Sequence, residues 1–259
     1  MTEARPTFQE LYDGELVLHG RITSASNATF LGSIGEIGVV YKPIRGERPL
    51  WDFPDAVLAH REVAAYVVSE ATGWSVVPET WMRPGPHGEG MVQRWCETDP
   101  DQEAVTLVPE GEIPAGYLHV FDGEDAFGRG VSLVHEDSPQ LRRMAIFDAM
   151  VNNADRKGGH VLEMPDGHRY GVDHGICFHT ENKLRTVLWG WMGEPLSTEE
   201  LDVIRSVRRG LDAELGETLS AYLSIWELEA LGNRCEALLR RGTLPEPHGD
   251  WHVIPWPPF

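Results

Sequence analysis

The sequence predicts an α+β fold in two lobes, with strands concentrated in the first lobe and helices in the second. Three short runs of β-branched and apolar residues follow one another between residues 15 and 44, which is typical of a strand meander. The stretch from about residue 197 to residue 241 is helical in character. A polar, acidic stretch with prolines at residues 97–112 indicates a connector. We therefore expect an N-lobe at residues 1–96 and a C-lobe at residues 97–259.

The composition limits both the size of the core and the class of partner. The chain has 259 residues, of which 41% are hydrophobic and 24% charged, and this is ample for a packed core. Lys and Arg number 22 against 41 Asp and Glu, so the formal charge is -19. That charge argues against nucleic acid and against a general attraction to anionic lipid headgroups.

Neither a membrane span nor a disulfide framework is expected. No run in the sequence approaches the ~20 apolar residues that cross a bilayer, and the first residues lack an apolar signal core. Cys96, Cys177 and Cys235 are odd in number, far apart and without CxxC spacing, which argues against disulfides or a zinc ribbon. We expect a cytoplasmic protein.

In the N-lobe, the pattern predicts three strands, a helix and two further strands. The first strands are expected at residues 15–24, 28–35 and 36–44, separated by turn residues. A helix should follow, capped by Asp55 and stopped by Gly73. The segments WSVVPETWMRP and GEGMVQRWCE then read as two strands around the turn PGPHG.

In the C-lobe, a helix followed by a hairpin would bring two aspartates together. Ser138 is a suitable N-cap for a buried helix with Pro139 in its first turn. The segments HVLEM and RYGV alternate across the turn PDGH, which predicts a hairpin. Asp155 precedes the hairpin and Asp173 follows it, so both carboxylates should lie near its open end. The proline-rich residues 251–259 are expected to dock on their own domain.

Five short motifs follow one another along the chain: Lys42 in VVYKP, Glu62 in HREVAAY, the hinge-like run MVQRW, Asp155 and Arg156 in NADRKGGH, and Asp173, His174 and Gly175 in YGVDHG. Their order resembles that in the phosphatidylinositol 3- and 4-kinase branch of the protein kinase-like superfamily, a branch that also has small bacterial members. The resemblance covers roughly residues 15–195.

The resemblance implies a two-lobed protein kinase-like fold and an ATP-dependent phosphotransferase that uses Mg or Mn. Phosphoryl transfer needs a cation near the phosphates, oxygen ligands for the metal and a carboxylate near the acceptor hydroxyl. The candidate cation is Lys42, held by Glu62. Asp173 is the candidate metal ligand, and Asp155 is the candidate carboxylate near the acceptor. The resemblance also assigns a phosphate loop to SASNAT, with Ser24 and Ser26, and adenine contacts to Gln93, Arg94 and Trp95.

Two positions depart from the pattern of this branch. Lys157 stands where the branch has His, and His160 stands where it has a metal-binding Asn, five residues after Asp155. His160 is therefore a candidate metal ligand. The segment after Gly175, ICFHTENKLRT, has only two basic residues, so we expect a protein or small-molecule hydroxyl as acceptor in preference to a lipid.

Each assignment has a structural alternative. An aspartate before a strand is usually a turn or cap residue, a glutamate in a helix is usually solvated, and Lys42 or His160 could be an ordinary strand residue. Two other functions also stay open. The departures at Lys157 and His160 favour a nucleotide-binding pseudokinase that regulates a partner. A metal-dependent hydrolase is a weaker alternative, because the histidines form no HExxH motif.

Overall fold

A computed structural model describes residues 8–23, 27–48, 50, 57–247 and 252–259 and confirms the α+β fold, with a strand-rich N-terminal part and a helix-rich C-terminal part. The first sheet is antiparallel with the strand order β1-β2-β3-β5-β4. Its strands are β1 (Leu16–Arg21), β2 (Phe30–Ile34), β3 (Ile37–Pro43), β4 (Thr80–Gly85) and β5 (Gly88–Arg94). The predicted meander and the two later strands are thus confirmed. The predicted boundary between residues 96 and 97 stays a prediction.

The alternation of side chains in β3 decides which face of the sheet receives Lys42. Val39 and Tyr41 are fully buried in a cluster that includes Leu11, which belongs to the short helix α1 (Phe8–Asp13). Because successive side chains of a strand point to opposite faces, Lys42 lies on the other face. On that face Met91 of β5 packs against Ala59 and Val63.

The helix α2 (Leu58–Thr72) begins and ends close to where the sequence predicts. Gly73, with a φ of 68°, ends it in the left-handed region as expected. The predicted cap Asp55 lies outside the described residues. The carboxylate of Glu47 instead accepts hydrogen bonds from the backbone N–H groups of Leu58 and Ala59 at 2.9 and 2.8 Å, which satisfies two free donors of the first turn.

A second sheet includes part of the connector predicted at residues 97–112, and that prediction was wrong for residues 105–109. The strands are β6 (Val105–Pro109), β7 (Tyr117–Glu124) and β8 (Gly130–Glu136), in the antiparallel order β6-β8-β7. β6 itself is the mostly apolar run VTLVP, of which only Val105 is buried, and the acidic residues and prolines around this short run favour a loop. Its hydrogen-bond partner β8 lies more than twenty residues away, and no local sequence signal reports such a partner.

The helix before the hairpin and the hairpin itself are confirmed. The helix α3 (Pro139–Val151) begins at Ser138, whose hydroxyl accepts from the N–H of Leu141 at 3.2 Å. It ends at Asn152 in the left-handed conformation. The hairpin consists of β9 (Val161–Glu163) and β10 (Arg169–Gly171), paired antiparallel.

The C-terminal part ends in three helices that cover the larger core. They are α4 (Thr198–Gly210), α5 (Glu214–Leu219) and α6 (Ile225–Arg241). Ser197 and Ser224 begin α4 and α6 with capping boxes. The described tail docks on its own chain, since the carbonyl of Pro258 accepts from Gly158 N at 2.8 Å. Among the described residues, no helix has the length and apolar character to cross a membrane.

Candidate active site

A cavity of about 540 Å³ lies between the first sheet, α2 and the open end of the hairpin. Five of the residues singled out in the sequence line it together: Lys42, Glu62, Asp155, His160 and Asp173. They come from β3, α2 and the two loops that flank the hairpin. The hairpin thus places Asp155 and Asp173 on one cavity wall, opposite the lysine of the sheet.

Lys42 connects the first sheet to α2 and to the loop that follows the hairpin. Its Nζ donates to Glu62 Oε1 at 2.7 Å and also to Asp173 Oδ1. The pKa of Lys42 lies above its usual value, because burial lowers it but the charges of Asp173 and Glu62 raise it by more. The ammonium is therefore held permanently charged between two carboxylates.

Glu62 anchors the turn after the hairpin as well as the lysine. Its second oxygen, Oε2, accepts from the backbone N–H of His174 at 2.9 Å. The side chain is buried, and this burial raises the pKa of Glu62, although Lys42 acts in the opposite direction. A buried carboxylate with a cation on one oxygen and an N–H on the other has little freedom to move.

Asp173 stands at the mouth of the cavity in an uncommon backbone conformation. Its φ is 60°, in the left-handed region that few non-glycine residues adopt. Its side chain is 50% exposed, and the adjacent Lys42 lowers the pKa of its carboxyl well below the usual range. Asp173 is therefore an exposed, permanently ionised carboxylate, one oxygen of which faces Lys42 while the other faces His160.

His160 presents one ring nitrogen to Asp173. Its Nδ1 lies 2.8 Å from the carbonyl oxygen of Asp155, and its Nε2 lies 3.5 Å from Asp173 Oδ2. A carbonyl only accepts, so Nδ1 carries the proton and the neutral ring has its lone pair on Nε2. Burial lowers the pKa of His160 to about 4, so the ring is neutral at pH 7. Nε2 can accept a proton or bind a metal.

Asp155 is a partly buried carboxylate beside a second lysine. Lys157 Nζ lies 3.6 Å from its Oδ2, and its backbone N–H donates to Asn153 Oδ1 at 3.0 Å. Burial raises the pKa of Asp155, while Lys157 partly opposes this effect. A carboxylate with a raised pKa binds a proton more readily than a solvated one.

A buried ion pair that sequence reasoning missed supports both loops. Arg156 is fully buried and pairs with Asp148 of α3. Its Nη1 also donates to the carbonyls of His160 and Val172, at 3.1 and 3.2 Å. The only local signal for this role is a single aspartate within the apolar helical run MAIFDAMV.

The three hinge candidates lie outside the cavity wall. Gln93 Nε2 donates to Thr80 Oγ1 at 2.9 Å, and the backbone N–H groups of Arg94 and Trp95 donate within the sheet region, to the carbonyls of residues 79 and 38. Adenine contact by these three residues stays a prediction. The predicted phosphate-loop residues Ser24 and Ser26 lie outside the described residues.

Two further cavity residues had no sequence signal. Glu47, the cap of α2, lines the cavity beside Glu62. Phe259 reaches the cavity because the tail returns to the loop that contains Gly158. A Cβ at Gly158 would collide with the ring of Phe259, so this close approach requires glycine.

The candidate metal ligands number two. Within the described part of the chain, no cluster of three or more His, Cys, Asp or Glu side chains is arranged to hold a metal ion. Asp173 and His160 offer one carboxylate oxygen and one imidazole nitrogen. Any metal at this point would need additional ligands from a substrate or from water.

Comparisons with known proteins give one extensive match and several partial ones. No family model matches the chain. Protein Rv2133c of Mycobacterium tuberculosis (strain ATCC 25618 / H37Rv) is 48% identical over 262 residues, which cover 96% of this chain and 94% of that protein. A Helicobacter pylori proinflammatory kinase, CtkA, gives a structural match with a TM-score of 0.48 and 11% identity, covering 90% of this chain and 94% of that one.

Two Arabidopsis thaliana proteins also match. Phosphatidylinositol 4-kinase gamma 3 is 28% identical over 179 residues, and phosphatidylinositol 4-kinase gamma 6 is 29% identical over 168 residues. The matches cover 61% and 60% of this chain but only 29% and 26% of the plant proteins. They support a kinase-like fold. Given the extent of the first match, the chain belongs to the same family as Protein Rv2133c of Mycobacterium tuberculosis.

Proposed function

We propose that this protein is an ATP-dependent phosphotransferase whose acceptor is a hydroxyl group of a protein or small molecule. The observation that carries the proposal is the position of Lys42, which pairs with Glu62 of α2 and with Asp173 after the hairpin. Asp155 lines the same cavity. The partial similarity to two phosphatidylinositol 4-kinases supports the same reaction class.

Lys42 is suited to bind the phosphates of a nucleotide. Its charge is fixed by two carboxylates, and a nucleotide phosphate can replace Asp173 as one of its partners while Glu62 keeps its position. A lysine held in this way neutralises phosphate charge without having to be reoriented when the nucleotide binds.

A divalent cation fits the donor set at Asp173 and His160. One is an ionised carboxylate and the other a neutral imidazole with its Nε2 lone pair on the Asp173 side. Phosphate oxygens and water would supply the remaining ligands. When bound, Mg or Mn neutralises charge on the triphosphate. The imidazole favours Mn over Mg, because Mg strongly prefers oxygen.

Asp155 is suited to orient the acceptor and to take its proton. In the transfer, the acceptor oxygen forms a bond to the γ-phosphorus, the bond from that phosphorus to the bridging oxygen breaks, and ADP leaves. The proton of the hydroxyl passes to Asp155, whose raised pKa favours this. Lys157, 3.6 Å away, provides a second cation near the transferred group.

The acceptor class follows from charge. The chain carries a net charge of -19, which opposes binding to an anionic membrane surface. The segment after Gly175 has only Lys183 and Arg185 to contact an inositol phosphate headgroup. A hydroxyl on a protein or small molecule is therefore the better candidate.

A nucleotide-binding pseudokinase is the second candidate function. Lys42 already occupies one oxygen of Asp173, and within the described chain the protein offers two metal ligands at this point. Such a site could bind a nucleotide and fail to transfer phosphate. The binding event would then act on a partner protein.

Turnover of γ-labelled ATP with Mg or Mn tests the proposal. Wild type should release or transfer label, and Asp155→Asn should lower the rate by roughly 100-fold or more. The matched control is Asp166→Asn in the exposed turn of the same hairpin, whose Oδ1 accepts from His168 N; it should keep the wild-type rate. Nucleotide binding without turnover in wild type would establish the pseudokinase. A wild type that binds no nucleotide would contradict both functions.

A further inference from the structure

A second cavity, of about 350 Å³, lies in the C-terminal part of the protein. Its walls come from α3, α6, the loop at residues 180–184 and the tail, and it shares no lining residue with the first cavity. Cavities of this volume fall at the lower end of the range for small-molecule sites.

The charge of this cavity is opposite to that of the chain. Lys183, Arg234 and Arg241 line it, and the described lining residues include no Asp or Glu. The whole chain has 41 acidic against 22 basic residues. Among the lining residues that the structure describes, basic side chains thus outnumber acidic ones, which favours an anion.

One nitrogen of the Arg234 guanidinium has no hydrogen-bond partner among the described residues. Its Nε donates to the carbonyl of Met150 at 2.7 Å and its Nη1 to that of His179 at 3.1 Å. Its Nη2 is buried and has no hydrogen-bond partner among the described residues. A buried donor that is left unpaired costs free energy, so a hydrogen-bond acceptor beside Nη2 would be stabilising.

Within the described part of the chain, no carboxylate forms an ion pair with Arg234. Burial lowers the pKa of Arg234 to about 10, and the charge of Glu227 raises it only in part. Glu227 is itself bonded to Arg61. The bonds of Arg234 in the described structure go to neutral carbonyl oxygens, so an anion would supply both the missing acceptor and the missing charge.

Apart from the cations and the polar residues Thr180, Asn182 and Asn233, the described cavity wall is apolar. Its larger apolar residues include Trp189, Leu238 and Val253. Leu238 belongs to α6 one turn after Arg234, so the charged and apolar parts of the wall are adjacent.

We propose that this cavity binds a small organic anion, with its carboxylate or phosphate group held by Arg234 and Arg241 and its apolar body against Trp189, Leu238 and Val253. Arginine presents paired donors that match both carboxylate and phosphate oxygens. The proposal does not depend on phosphotransfer, because no residue of the first cavity takes part in it.

Isothermal titration calorimetry with phenyl phosphate, 1-naphthoate and inorganic phosphate tests the site. At least one aromatic anion should bind with 1:1 stoichiometry and more tightly than inorganic phosphate. Arg241→Gln should weaken that binding by about tenfold, the loss of one charge-assisted hydrogen bond. Arg240→Gln is the matched control: Arg240 is the neighbouring arginine, pairs with Glu236 at 3.7 Å and does not line the cavity. It should bind as wild type does.

Three results would overturn the proposal. They are no saturable binding of either aromatic anion, equal effects of Arg241→Gln and Arg240→Gln, or displacement of the anion by ATP. Arg234→Gln removes the unpaired donor directly, and its fold is checked by circular dichroism. Should it unfold, Arg241→Gln still decides, because Arg241 is an exposed residue in the last turn of α6. Lys42→Met must leave anion binding unchanged, which separates this site from the proposed nucleotide site.

Discussion

Arg156 forms a two-point ion pair with Asp148 in the interior of the protein, with Nε to Oδ2 at 2.7 Å and Nη2 to Oδ1 at 2.9 Å. Both side chains are fully buried. Because Arg156 follows Asp155 directly and also donates to the carbonyl of His160, this pair fixes the loop at residues 155–160 to α3. The position of the candidate base therefore depends on a contact made beneath the cavity.

Asp148→Asn should destabilise the fold strongly. The change leaves the charge of Arg156 buried without a counter-ion, which typically costs about 3–5 kcal/mol. Urea unfolding followed by circular dichroism measures the difference. Asp212→Asn removes one partner of the exposed Arg208 pair and should cost less than about 1 kcal/mol. Equal effects of the two substitutions would show that the buried pair has no special role.

Asp173→Asn and Asp155→Asn should have separate effects. Asp173 has an ionised carboxylate at the proposed metal position, so its loss should weaken nucleotide binding when Mg or Mn is present. Asp155→Asn should leave binding nearly intact and remove transfer. Calorimetric titration with nucleotide, with and without divalent metal, measures the first effect. Indistinguishable binding by the two variants would contradict these roles.

Lys42→Met should reduce both nucleotide binding and stability. The substitution keeps the length of the side chain but removes the charge that faces Glu62 at 2.7 Å. Glu62 is buried, so an unpaired carboxylate there should cost about 1–3 kcal/mol.

The double variant Lys42→Met with Glu62→Gln separates the two effects. It should recover part of the lost stability, because no buried charge is left unpaired, but it should not recover nucleotide binding. Thermal melts and calorimetry measure the two quantities. Recovery of binding in the double variant would mean that the charge of Lys42 does not contact phosphate.

Much of the site could be predicted because its residues belong to local patterns. The alternation around PDGH predicts the hairpin, and a hairpin necessarily brings Asp155 and Asp173 to the same end. The β-branched run of β3 places Lys42 next to buried Val39 and Tyr41. Each of these relationships involves residues that are close in sequence or order.

The features that could not be predicted from the sequence depend on contacts between residues that are distant along the chain. The short run VTLVP of β6 lies within an acidic, proline-containing stretch and pairs with β8 more than twenty residues later, so it was interpreted as part of a loop. Phe259 reaches the cavity because Pro258 bonds to Gly158, one hundred residues earlier in the chain. Propensity and periodicity describe one segment at a time and cannot report such partners.

His160→Asn should shift the metal preference of the protein from Mn towards Mg. Nε2 of His160 faces Asp173 Oδ2 at 3.5 Å, and an amide oxygen at this position is a better ligand for Mg than an imidazole nitrogen. Nucleotide affinity measured with each metal gives the ratio for wild type and variant. An unchanged ratio would eliminate His160 as a ligand and leave the proposed reaction intact.

Stability should fall in acid because of His135. This histidine is fully buried, its Nε2 accepts from the N–H of Gly190 at 3.0 Å, and its ring lies 4.3 Å from that of Trp191. Burial lowers its pKa in the folded state, although the nearby Glu136 and Asp137 oppose this effect. The unfolded chain therefore takes up a proton at a higher pH than the folded protein does.

Because the pKa of His135 is lower in the folded state than in the unfolded state, acid favours the unfolded state. The contribution of His135 to stability is fully present above the unfolded pKa of about 6.5 and is lost as pH falls through the folded pKa. Such a group changes the unfolding free energy by at most about 1.4 kcal/mol per pH unit.

His135→Gln retains an acceptor for Gly190 and removes the titration, so its stability should fall less steeply between pH 6.5 and 5 than that of wild type. His252→Gln, at an exposed position, should keep the wild-type slope. Urea unfolding at each pH gives the slopes, and parallel curves for wild type and His135→Gln would exclude His135 as a source of acid sensitivity.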